Sequence, residues 1–162
     1  MTLFVPQNLF PTFIEEFSLT REEVSLTVRN TLLFAAFFSP LSGILIDKYG
    51  VTIVMRIGIV VMALTYSFYP FASSIETLYR LHILMACGLV MSGLGPNVII
   101  VSNWFKKHRG KVVGMVVASS SLGGATLPLL ISPIVNDPEW GWRWGFGLLS
   151  ILFWIFAVIP VY

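Results

Sequence analysis

Apolar residues in this chain come in long runs, and the polar residues fall in short stretches between them. A helix crossing the hydrocarbon of a bilayer needs about 20 mostly apolar residues. The run at 31–46 reaches that length when it continues back to about residue 22, and the runs 51–71, 81–101, 112–135 and 144–162 reach it as they stand. The pattern predicts helices over about 22–46, 51–72, 78–102, 111–135 and 143–162. Residues 1–14 are apolar but too short to span, and they carry Pro6, Gln7, Asn8 and Pro11. No basic leader or small-residue cleavage site marks them as a signal peptide. They read as the outer end of a first helix over about 1–17 whose beginning is missing. The last run reaches residue 162 with no cap or following loop, so both ends look cut and the expectation is a fragment of a longer chain.

Composition narrows the class. Charged residues are 11% of the 162, against about 25% in soluble domains, and apolar residues are 56%. So few charges cannot cover the surface of an unassisted soluble globule. A disordered chain and a nucleic-acid binder are excluded by the same numbers and by a net charge of only +2. The single cysteine, Cys87, excludes a disulfide framework and a cysteine-based zinc site. What is left is an all-α membrane protein that crosses the bilayer several times.

The loops alternate in charge. One set holds Lys48, Arg56, Lys106, Lys107, Arg109 and Lys111 against a single acid, Asp47. The other holds Arg21, Arg29, Arg80 and Arg143 among Glu15, Glu16, Glu22, Glu23, Glu76, Asp137 and Glu139. Basic residues in short loops collect on the cytoplasmic side, which puts the first set inside. The loop bearing Trp140, Trp142 and Trp144 then meets the outer interface, where tryptophans concentrate. Arg56 lies close enough to the inner interface to snorkel.

The turn Gly43, Asp47, Lys48, Gly50 resembles the loop between the second and third helices of the major facilitator superfamily. That motif continues with a basic pair, and Val51 and Thr52 stand in its place here. The stretch 103–114, with Arg109, Gly110 and Gly114, is similar to the connection between the fourth and fifth helices in the monocarboxylate and oxalate/formate branch. The spacing from Ser121 to Pro128 and the run Gly141, Trp142, Arg143, Trp144 resemble the same branch. The resemblance implies a twelve-helix fold of two six-helix halves that work by alternating access around a site near the midplane. This chain would be a six-helix half bundle, the amino-terminal one, with its first helix truncated.

The resemblance also implies roles. Gly43, Asp47, Lys48 and Gly50 would form a latch between the two halves, Gly43 allowing close approach and Gly50 supplying the turn. Asp47 is also placed to accept hydrogen bonds from the free amides of the next helix, as in an ordinary polar turn. Arg29, with Asn30, reads either as an anion-binding arginine at a cavity mouth or as a side chain snorkelling to the outer headgroups. The first helix of the family lines the cavity, so Gln7 and Asn8 are candidate solute ligands, or else glue between helices. Gly93, Gly95, Pro96 and Asn97 interrupt the fourth helix. Pro96 frees a carbonyl that something must satisfy, and Asn97 faces either the cavity or a kinked packing interface. The hydroxyls of Ser119, Ser120 and Ser121 read as back-bonded to helix carbonyls. His82 is a candidate proton relay or a structural donor. Lys106, Lys107, Arg109 and Lys111 set topology and meet anionic lipid, and Arg109 and Gly110 are placed for a gating contact.

No nucleophile–base pair, metal spacing or glycine-rich phosphate loop occurs in the sequence, so no catalytic residue, metal or cofactor is expected. The expected function is secondary transport of a small solute, such as a monocarboxylate, driven by a proton or an antiported anion. The expected partners are that solute, the lipid bilayer, and a carboxy-terminal half or a second copy, with no nucleic acid. The expected location is the cell membrane, plasma or bacterial inner. The alternatives are a half-size scaffold or partner subunit that transports nothing, and proton-coupled efflux of small molecules.

Overall fold

The structure, a computed structural model, describes residues 14–15, 17–135 and 141–159. Gln7 and Asn8 lie outside the described residues. Among the described residues every regular element is helical: α1 (Arg21–Tyr49), α2 (Val51–Phe68), α3 (Ile75–Ser92), α4 (Leu94–Trp104), α5 (Arg109–Val135) and α6 (Gly141–Phe153). A 3-10 turn, Tyr69–Phe71, closes α2, and a π turn, Trp154–Val158, prolongs α6.

Two of the helices begin at side-chain caps. Thr20 opens α1 with a reciprocal capping box: its hydroxyl accepts from Glu23 N, and the Glu23 carboxylate accepts from Thr20 N at 2.8 Å. Ser74 opens α3 by accepting from Thr77 N at 3.3 Å. Gly50 ends α1, where φ is +84° and only glycine is comfortable, and its N–H returns to Ile46 O at 2.8 Å. The same residue starts α2, so one residue separates the two helices.

Among the described residues three segments are long and apolar enough to cross a membrane: Arg21–Tyr49, Val51–Phe71 and Ile75–Trp104. The last comprises α3 and α4. The chain is an integral membrane protein, and its outward faces fit that solvent. Leu33, Phe37 and Ile44 of α1 are each at least 60% exposed, as are Trp104 and Ile151. In water such a surface would be an aggregation site, whereas lipid tails cover it at no cost.

The core lies at the end of the bundle where α2 meets the 3-10 turn. Tyr69 stacks on Phe146 with ring centres 4.4 Å apart, and Tyr66, Trp142, Met62, Leu78 and Met85 pack around them. Helices α2 and α3 cross closest at two glycines. A Cβ on Gly58 would stand 2.7 Å from Met91 Cβ and 2.8 Å from its backbone carbon, and one on Gly88 would stand 2.7 Å from Met62 Cγ. Small residues at such a crossing let two helices approach in a membrane. Gly58→Ala should therefore lower the thermal midpoint of the purified protein by an amount matching about 1–3 kcal/mol of overpacking. Gly43→Ala, where nothing lies within 4 Å, serves as the control, and equal midpoints for the two variants would contradict this account.

Candidate functional site

The fourth span is broken at Gly93, whose φ of −75° and ψ of −156° leave the helical region. The cause is two residues further on. Pro96 has no N–H, so the carbonyl of Ser92, four residues back, loses its helical donor. An unpaired carbonyl inside a span costs several kcal/mol, and a side chain meets the need. Asn97 Nδ2 donates to Ser92 O at 2.9 Å and to Gly93 O at 2.8 Å. Asn97 N also reaches Gly93 O at 3.4 Å. A Cβ on Gly93 would collide with the Leu89 carbonyl, so glycine is required there.

This break forms one wall of a cavity of about 420 Å³. The wall carries Leu89, Ser92, Gly93, Leu94 and Asn97; Ile59 and Met62 come from α2, Val116, Ser119 and Ser120 from α5, and Phe153 from α6. Its volume suits a small solute. Ser92 Oγ donates to Gly88 O at 2.7 Å and Ser119 Oγ to Val116 O at 2.9 Å, so both hydroxyl protons are committed to their own helices. Ser120 Oγ takes no hydrogen bond among the described residues, nor does Asn97 Oδ1. The Asn97 amide thus both repairs the break and borders the cavity. Ser92, Met62 and Phe153 were not singled out in the sequence. The signal for Ser92 was there all the same, four residues before a proline in an apolar run.

The other candidates lie elsewhere. Arg29 is exposed and Asn30 half-buried near the amino-terminal end of α1, away from this lining. Asp47 stands eighteen residues after Arg29, five helical turns, and so shares its face with Ala36, Pro40 and Gly43, all exposed. Asp47 does not cap α2, whose first turn has no side-chain partner. It sits on the last turn of α1, before the Gly50 turn redirects the chain, and its side chain is exposed. Nor does Gly43 bring two helices together among the described residues, since no atom lies within 4 Å of its Cβ position. Lys48 Nζ lies 5.1 Å over the Tyr49 ring. Arg109, Gly110 and Gly114 are exposed on the first turns of α5, with open space at both glycines. The face of α1 that bears the turn motif is therefore unoccupied by any described residue.

His82 is buried and ties α3 to α1. Thr31 Oγ1 and His82 Nδ1 share a hydrogen bond of 2.6 Å, and Thr31 Oγ1 also lies 3.0 Å from Thr27 O. The Tyr69 ring stands edge-on to the imidazole at 6.0 Å. This is a structural bond between helices. A second cavity, of about 380 Å³, opens between the end of α2 and α6, lined by Ser67, Phe71, Arg143, Trp144 and Ser150 among others. Its polar floor is satisfied: Trp154 Nε1 donates to Ser67 Oγ at 3.2 Å, and Ser67 and Ser150 hydroxyls bond at 2.7 Å.

The chain, whose described residues are helical with a discontinuous span beside a cavity, matches one family model, Major Facilitator Superfamily, over residues 1–162. The chain belongs to the major facilitator superfamily. It corresponds to an amino-terminal half of that fold. Among known proteins it is similar to the MFS-type transporter opdF of Penicillium oxalicum, 31% identical over 148 residues, 86% of this chain and 33% of that protein. It is also similar to monocarboxylate transporter 10 of Mus musculus, 33% identical over 102 residues, 62% of this chain and 20% of that protein. A third relative is the agnestins efflux protein AgnL12 of Paecilomyces divaricatus, 32% identical over 106 residues, 63% of this chain and 24% of that protein. The chain spans a third or less of the length of each of these relatives.

Proposed function

We propose that this chain is the amino-terminal half of a secondary transporter that moves a small organic anion, such as a monocarboxylate, across the cell membrane by alternating access. The observation that carries the reading is the cavity beside the broken fourth span, lined by Asn97, Ser92 and Ser120. Discontinuous helices beside a cavity are where transporters of several folds hold their solutes. Arg29, exposed near the amino-terminal end of α1 and apart from that lining, draws the anion toward the protein by its charge, and a proton or an exchanged anion supplies the drive. Asp47, Lys48, Gly43 and Gly50 latch this half against a carboxy-terminal half or a second copy, across the α1 face that no described residue covers. Arg109 and Gly110, with Gly114 behind them, make the second inner contact.

The test is uptake by the full-length parent reconstituted in liposomes, across a panel of carboxylates. Saturable uptake of at least one is expected. No uptake of any, together with a stable membrane partner that co-purifies, would replace the transporter by a scaffold. In the same assay Arg29→Gln should raise the KM for the anion about tenfold at low salt, through the lost attraction, and leave protein yield unchanged. Reduced yield with unaltered KM would instead mean that Arg29 snorkels to headgroups. A second reading, efflux, is favoured by the relative named as an efflux protein, and the direction of net flux in the same vesicles separates the two.

A further inference from the structure

The Asn97 amide is held in one orientation by the chemistry of its neighbours. Nδ2 donates to two carbonyl oxygens, Ser92 O and Gly93 O. Turning the amide over would set Oδ1 against both of them, three acceptors with no proton between them. The donor end is therefore committed to the helix break, and the acceptor end is left to the cavity that Asn97 lines. The same lining holds Met62, Leu89 and Phe153, which offer no hydrogen bond, and the Ser120 hydroxyl on α5.

We propose that Asn97 Oδ1 is a fixed acceptor that selects a solute bringing a hydrogen-bond donor, a hydroxyl or an amine on a short apolar body. At this position it excludes a carboxylate oxygen, which only accepts. The inference rests on the cavity being the solute site and adds the class of solute: a hydroxy- or amino-substituted one, whose anionic end, if present, points away from Asn97. A site built around a hydrogen bond discriminates strongly against an analogue lacking the partner group, because its own polar atom is then desolvated and unpaired.

Four probes test this on the purified full-length parent, with binding read from the thermal shift: 2-hydroxybutanoate, butanoate and the methyl ester of each. The hydroxylated member of a pair should bind about tenfold tighter than its partner. Asn97→Ala should bring that ratio to about one. Asn97→Ala also strips Ser92 O of its donor, so the double variant Pro96→Ala, Asn97→Ala is measured beside it. Alanine at 96 carries the N–H that proline lacks and returns the helical bond to Ser92 O. The double variant should recover thermal stability and still show no preference for the hydroxyl, an outcome that a purely structural asparagine would not give. Preference that returns with stability overturns the proposal, as does a wild-type protein with no preference in either pair. If only the ester pair shows the preference, the acceptor role of Asn97 stands and the organic-anion reading falls.

Discussion

Asn97→Asp should remove folded protein from the membrane at neutral pH. The two side chains have nearly the same shape, so the change is one of hydrogen bonding. The amide donates to Ser92 O and Gly93 O at 2.9 and 2.8 Å. A carboxylate would turn an anionic oxygen toward the same two carbonyls, inside a span where no described charged residue borders the cavity to compensate it. Asn97 is half-buried, and a charge at mid-span costs about 2.5–3.5 kcal/mol, a large share of the roughly 5–15 kcal/mol that holds a domain together. The readout is the monodisperse peak in detergent size-exclusion chromatography, which should vanish for Asn97→Asp and persist for Ser120→Ala. An intact peak for Asn97→Asp would show that the amide does not carry the break.

The second large effect is expected at Asp47. Its carboxylate is exposed and leaves α2 uncapped, so Asp47→Ala should leave thermal stability within about 0.5 kcal/mol of the wild type, as for an ordinary surface change. If the exposed turn latches against another half, the same substitution releases one of the two access states. A contact worth about 1.4 kcal/mol shifts that equilibrium about tenfold. Transport by the parent should fall accordingly, and labelling of cysteines placed at the inner and outer mouths should report the altered balance. Unchanged rate and labelling would mean that the turn is merely a turn. Because stability and transport are expected to part company at this residue, the result separates a latch from a cap.

Three of the spans were legible in the sequence because a bilayer demands uninterrupted apolar length, and residues such as 51–71 supply it without a charge beyond Arg56. The break in the fourth span was legible for a related reason: Gly93 and Pro96 are the two residue types a helix interior excludes. What satisfies the freed carbonyl was not legible. Asn97 sits one residue beyond the proline, and only the geometry of the break decides whether its amide turns back to Ser92 or outward to the cavity. The Gly58–Gly88 crossing was hidden too, because thirteen glycines are spread over the chain and two helices must be docked before any pair is seen to meet. The Asp47 turn shows the opposite failing. Its residues are easily recognised, yet a carboxylate four residues before a helix start suggested a cap that α2 does not have.

The lone residue between α1 and α2 ties the motions of the two helices together. Twenty-nine helical residues, one glycine and eighteen more leave no slack at the turn. An axial shift of either helix at that end is therefore passed to the other through Gly50, so a force applied at the Asp47 turn reaches both.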